Sequence, residues 1–290
     1  MIDAVLRACA WIETRLGDLA IDRSLDPSRR MAALKAFGDL AHAADILERS
    51  AQPALAAIGQ RWMELAVRQL AGGERIRELI AAAPIYAPAA VMFLPLHLSG
   101  RPCPALYATL AAQIRGAELP PLAWTMLVPS LELYDIEPTA VMRAQARRMS
   151  VLAAGTAAAL LPQDAAYVLV HECMYATRWG RCPPRWDRDT SAYVAQTLPE
   201  LIERRTADRD ADLVAELILA AHAALGACAA PRAWDALLAA QTPAGNVEPL
   251  ARLVTMFPRL PHPVLTRTYH TTLVSIMAWT ACGHHDAGIN

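Results

Sequence analysis

Along the first stretch of the chain the apolar positions Ile2, Val5, Cys9, Ile12, Leu16 and Leu19 recur three or four apart, with Asp3, Arg7 and Arg15 between them. That spacing matches the turn of a helix carrying one apolar stripe, and it predicts an amphipathic helix. A second helix is predicted from Asp26-Pro27, where an acid suited to capping precedes a proline at the first helical position. Its core stripe is Met31, Leu34, Phe37, Ala41 and Ile46 or Leu47. Beyond it, the other 20 of the chain's 21 prolines act as punctuation. Proline is tolerated at a helix start but not in its interior, so the sequence divides into about a dozen helices of modest length.

There is no sustained alternation of period two and no Asn-Gly or Asp-Gly turn, so strands are not expected. No fixed repeat period stands out either, which argues against a regular helical-repeat array. The expected fold is all-α: an irregular α-α superhelix or toroid-like array, forming one domain over residues 1–290 with a mobile tail at 283–290. The stretch RWGRCPPRWDRDTSAY, residues 178–193, reads as a long loop, a length usually reserved for function.

Composition narrows the function classes. The 27 basic and 28 acidic residues nearly cancel, so neither nucleic acid nor a membrane surface is an expected partner. Lys35 is the only lysine, a bias that reads as ancestry. The six cysteines lack C-x-x-C spacing, and charges interrupt the N-terminal segment where a secretory signal needs an apolar run. The expected location is the cytoplasm, with reduced thiols. Proline breaks also keep the apolar run at 82–98 short of a membrane span.

Candidate chemistry concentrates on histidines. His171 follows the apolar run Tyr167, Val168, Leu169 and Val170; a helix puts Tyr175 on its face and turns Glu172 away. A zinc-protease motif is excluded, because Tyr175 stands where the second histidine is needed. His171 therefore reads either as a core histidine bonded to a carbonyl or as a base or metal ligand. In RLPHPVLTRTYHTTLVSIMAWT, His262 precedes a helix on which Arg267, His270, Thr271 and Val274 lie together beside Tyr269, Leu273 and Met277. The acids Asp208, Asp212 and Glu216 recur at four-residue intervals; they suit metal ligation, but a solvated helix face is the stronger reading. Cys282, His284, His285 and Asp286 near the end form a weaker chelating group, while His42 and His97 suggest no role. Signatures for nucleotide binding, serine hydrolysis and zinc deamination are absent.

The segments HECMYATRWG, DADLVAELILAAHAALG and TYHTTLV resemble a family of all-helical proteins of unknown function, associated with actinobacteria and partly with natural-product gene clusters. The resemblance covers roughly the C-terminal half to two thirds of the chain and implies that His171, Trp179, Gly180, Tyr269 and His270 surround one site. It also implies an acid two places before the glycine, where this chain has Arg178.

The expected function is a tailoring enzyme of specialised metabolism acting on a small molecule or modified peptide in a histidine-lined cavity. Its expected catalytic groups are His171, His270 and Tyr175, with Trp179, Arg267 and Tyr269 binding substrate. One divalent transition metal on His171, His270 and Glu172 is the expected cofactor. The competing expectation is a non-catalytic helical scaffold that grips a peptide or carrier protein; a homodimer fits either.

Overall fold

The structure, a computed structural model, describes residues 1–19, 21, 26–226, 230–249 and 263–282; the side chains of Asp18, Ser28 and residues 263–267 are outside the description. Arg267 therefore has a place on a helix but no described side chain. His262, Cys228 and the tail 283–290 lie outside the described residues altogether.

The fold is all-α. Its helices are α1 (Ile2–Glu13), α2 (Pro27–Glu48), α3 (Pro53–Leu70), α4 (Glu74–Ala82), α5 (Leu94–Leu98), α6 (Pro104–Gln113), α7 (Pro121–Leu133), α8 (Ala140–Met149), α9 (Val151–Ala154), α10 (Gln163–Ala176), α11 (Arg188–Ala207), α12 (Ala211–Leu225), α13 (Pro231–Ala239) and α14 (Pro263–Cys282). A 3₁₀ segment, Pro84–Phe93, joins α4 to α5. Among the described residues the only extended pairing is an isolated bridge between Gln241 and Val247. No described helix is long and apolar enough to cross a membrane.

The predicted start of α2 is present. Asp26 Oδ1 accepts the Arg29 amide at 3.0 Å, and Pro27 opens the helix. Of the predicted stripe, Leu34, Phe37, Ala41, Ile46 and Leu47 are buried, and Met31 packs against the core from a partly buried position. Proline punctuation also works at Pro53, Pro104, Pro121 and Pro231, all in first turns. It fails at Pro129 and Pro199, which lie inside α7 and α11. A proline forfeits one backbone bond, and in α7 the buried face of Trp124, Leu127, Val128 and Leu131 outweighs that loss. The long loop is also shorter than expected. Asp187 Oδ1 accepts the Thr190 amide at 2.8 Å, so α11 begins at Arg188, inside the stretch read as loop.

One apolar cluster runs from Ala4 to Trp279. Helix contacts around it close a cycle: α14 meets α2, α2 the 3₁₀ segment, that segment α7, α7 meets α10, α10 meets α12, and α12 returns to α14. Outside the cycle, α1 lies on α14, α3 on α2, α4 on the 3₁₀ segment, α8 on α7 and α11 on α12. The pairing of α2 with α3 is intimate, because a Cβ on Gly59 would meet Glu48 N at 2.4 Å and Ala44 O at 2.7 Å.

Four helices of the cycle run in one direction. At one level residues of these helices meet, as Tyr167 with Asp212, Thr271 with Asp212, and His270 with Asp39. Residues two to three turns later share one pocket: Met174 of α10, Leu219 of α12, Thr280 of α14 and Ile46 of α2. Positions of equal depth on these helices therefore face each other.

Candidate functional site

The stripe Lys35, Asp39 and His42 on α2 advances by four and then three residues, so all three share one face. Opposite them, α14 contributes His270 and Thr271, and α12 contributes Asp212 and Glu216. Helix α12 is buried from Ala211 to Ala221 without interruption. Its acids are thus interior groups: Asp212 is 3% exposed and Glu216 7%. The solvated acidic face expected from sequence is not present at these two positions, because neighbouring helices cover α12 on every side.

His270 is held between two carboxylates from different helices. Its Nδ1 lies 3.0 Å from Asp39 Oδ2, and its Nε2 lies 3.1 Å from Glu216 Oε1. Asp39 Oδ2 also accepts a hydrogen bond from Lys35 Nζ at 2.6 Å. Burial and the Lys35 ammonium push the His270 pKa down, but Asp212, Asp39 and the hydrogen bond to Asp39 outweigh them and raise it to about 10. The ring is an imidazolium that donates both N–H groups. Asp39 is opposed by burial, but Lys35 and His270 hold it well below the usual carboxylate range.

Beneath this row, Asp212 accepts two hydroxyl hydrogen bonds, from Thr271 Oγ1 at 2.6 Å and from the Tyr167 hydroxyl at 2.7 Å. Burial raises the Asp212 pKa, with Glu216 adding to the rise and His270 opposing it. Glu216 Oε2 is buried with no hydrogen-bond partner. One ligand-type atom from each of Asp212, Glu216 and His270 lies within 4.8 Å of the others. The site stays reachable, since the side chains of Lys35, Asp39 and His270 are 20–23% exposed.

His171 joins the same neighbourhood through Tyr167 and His42. Its Nδ1 lies 2.8 Å from the Tyr167 carbonyl, one turn back on α10, while the Tyr167 hydroxyl reaches Asp212. His42, buried at 7% exposure, feels the charges of Asp39, His171 and Lys35. Burial chiefly, reinforced by His171 and Lys35 and opposed by Asp39, lowers its pKa to about 3. The His42 ring stacks on Trp179 with centroids 3.6 Å apart and planes inclined by 24°.

Local backbone geometry delivers that tryptophan. After α10, Arg178, Trp179 and Gly180 all have left-handed φ values, +48°, +57° and +73°. Left-handed backbone costs a non-glycine residue roughly 1–2 kcal/mol. The turn is fixed by Trp179 N donating to Met174 O at 2.7 Å, Gly180 N to Thr177 Oγ1 at 3.2 Å, and Arg181 N to Thr177 O at 2.9 Å. Arg181 then pairs with buried Asp45, which also accepts Arg49 at 3.1 Å and Ser99 at 3.0 Å. The Asp45 cluster thereby ties the turn back onto α2. Trp179 also lines a pocket of about 140 Å³, bordered by Arg49, Gly180, Leu219 and Thr280. The Trp179 Nε1 and Thr280 Oγ1 atoms are buried without hydrogen-bond partners, so a ligand acceptor would satisfy the indole N–H.

A protein-family model matches residues 5–280, nearly the whole chain. The chain belongs to the DUF6895 family. That family is described as a domain of unknown function, so membership carries no reaction with it. No curated protein and no solved structure matches the chain.

The DUF6895 chain places its sequence-predicted residues unequally. His270 is central, His171 is adjacent, and Trp179 touches both His42 and the pocket. Glu172, expected on the metal, faces elsewhere: its Oε2 accepts the amides of Val151 at 3.1 Å and Leu152 at 3.0 Å, capping α9. Tyr175 is core, beside Ser130 of α7, and burial pushes its pKa up. Tyr269 is core too; at 2% exposure it donates to the Ala36 carbonyl at 3.2 Å and forms a seam between α14 and α2. Sequence reasoning missed Asp39, Lys35 and His42. An acid and a lysine four apart inside an otherwise apolar α2 stripe were the available signal. The lone lysine of the DUF6895 chain is a member of this site.

Proposed function

We propose that this DUF6895 protein is a cytoplasmic tailoring enzyme of specialised metabolism, acting on a small molecule or a modified peptide at the His270 site. The observation that carries the reading is one imidazole clamped by Asp39 and Glu216, over a buried Asp212, and open to solvent along one edge. A binding scaffold gains nothing from such a cluster, because interior charges cost desolvation and several rotamers must be ordered. Perturbed titratable groups gathered from three helices are the usual mark of a chemical centre.

In this reading the His270 Nε2–H points at Glu216 Oε1 across 3.1 Å, so the site sets a proton donor beside a carboxylate acceptor. Asp39, anchored by Lys35, fixes the imidazole plane. His171 and Trp179 stand on the approach, and the pocket beside Trp179 takes a small polar portion of the substrate. The closed helix cycle is the inner ring of a toroid-like array whose parallel helices bring these groups to one depth. The resemblance of HECMYATRWG and TYHTTLV to a family found partly in natural-product clusters supports the substrate class.

The test is an untargeted metabolite profile of a strain lacking the gene, complemented with the wild-type chain or with His270→Ala. Enzymatic function predicts that wild type restores the missing product and His270→Ala leaves its precursor accumulated. Equal restoration by both would move the function to the scaffold reading, in which the protein grips a peptide or carrier protein.

A further inference from the structure

We propose that Asp212, Glu216 and His270 together bind one divalent first-row transition ion, with Asp39 orienting the imidazole from behind. The inference deepens the enzymatic reading above and rests on it for any catalytic use of the ion.

Three observations carry it. The first is donor spacing. Ligand atoms around a cation with bonds of roughly 2.0–2.2 Å lie about 3–4 Å apart, and the three donor atoms here lie within 4.8 Å of one another. Side-chain movements of about 1 Å draw the three donors onto one ion.

The second is the orphaned oxygen. Glu216 is 7% exposed, and its Oε2 has no hydrogen-bond partner although the other oxygen of the same carboxylate faces His270 Nε2. A buried carboxylate oxygen left without a donor is costly, and a cation satisfies it.

The third is the supporting shell. A metal-bound histidine typically donates its other N–H to a carboxylate, which fixes the ring and raises its basicity. His270 Nδ1 does so to Asp39 at 3.0 Å, and Lys35 holds Asp39 in turn at 2.6 Å. Asp212 is likewise steadied by Thr271 and Tyr167. Coordination would use His270 Nε2, the nitrogen that faces Glu216, and its proton would leave to solvent.

The donor set selects the class of ion. Two carboxylates and an imidazole suit Zn²⁺, Fe²⁺ or Mn²⁺; Ca²⁺ prefers six to eight oxygens, and soft Cu(I) prefers sulfur.

The experiment is calorimetric titration of the full-length, chelator-treated protein with Zn²⁺, with circular dichroism confirming the fold of each variant. Wild type should bind one equivalent. Glu216→Gln and His270→Gln should each weaken binding by more than about a hundredfold, and Asp39→Asn by about 10–100-fold. Glu172→Gln should bind as wild type does. Wild type taking up less than half an equivalent overturns the site, as does unchanged affinity in Glu216→Gln and His270→Gln. If those variants do not fold, wild-type stoichiometry decides alone. The two readings fail separately. Absent Zn²⁺ binding with His270→Ala still unable to restore the metabolite removes the ion and leaves acid–base chemistry. One bound equivalent with His270→Ala fully restoring it keeps the ion and removes the enzyme.

Discussion

His42 lies flat against Trp179, with ring centroids 3.6 Å apart, and the contact joins the carboxylate-histidine row to the left-handed turn after α10. Burial keeps that imidazole neutral, lowering its pKa from 6.5 to about 3. Between those values the unfolded chain binds the proton and the folded chain does not. His42 therefore makes stability rise with pH across that window, by up to about 1.4 kcal/mol per unit. His42→Phe keeps the stack and removes the titration. Urea unfolding between pH 4.5 and 7 should show a shallower pH slope in the variant than in wild type; parallel slopes would mean that His42 is not held neutral.

Asp212 relies on two hydroxyl donors. Tyr167→Phe or Thr271→Val leaves a buried carboxylate oxygen short of a partner, and each should cost about 1–3 kcal/mol in equilibrium unfolding. Tyr269→Phe removes only a bond to a backbone carbonyl and should cost about 0.5–1.5 kcal/mol. A larger loss from Tyr269→Phe than from Tyr167→Phe would mean that the α14–α2 seam depends on its hydroxyl more than the buried carboxylate does.

The α2 and α3 backbones meet at Gly59. Gly59→Ala places a methyl group 2.4 Å from Glu48 N, so the helices must separate, and the expected loss is about 1–3 kcal/mol or more. Gly116→Ala, where nothing lies within 4 Å of the added carbon, should stay within about 0.5 kcal/mol of wild type. Thermal denaturation of the two variants distinguishes them directly.

These contrasts also explain what could be read in the sequence. The α1 stripe was legible because that helix keeps a polar side, and periodicity reports the difference between two faces; α2, buried almost all round from Ala36 to Leu47, was legible chiefly by its Asp26-Pro27 start. Helix α12 has no such difference. Ala, Leu, Val and Ile surround Asp212 and Glu216, so their burial leaves no periodic trace and the acids looked like a surface row. Proline positions marked most helix starts, yet Pro129 in the buried α7 and the exposed Pro199 in α11 show that a helix can pass through one. His270 was legible as a polar residue on an apolar helix. Its partner Asp39 was not, because 231 positions separate them in the chain and only the helix cycle brings them together. Glu172, adjacent to His171 in sequence, is turned about 100° away from it, and its carboxylate meets the start of α9.

The placement of Glu172 is testable. Glu172→Gln weakens the cap on Val151 and Leu152, with an expected cost of about 0.5–2 kcal/mol. It should leave metabolite restoration at the wild-type level. Loss of restoration in a folded Glu172→Gln protein would return Glu172 to the site.

The central claim is that Asp39 and His270 are in direct contact. A double-mutant cycle of Asp39→Asn and His270→Gln, followed by urea unfolding, measures that contact independently of any reaction. Buried partners in one network couple by about 0.5–3 kcal/mol, whereas separated residues add to within about 0.3–0.5 kcal/mol. A favourable coupling of at least about 1 kcal/mol is the predicted result. Simple additivity would contradict the account.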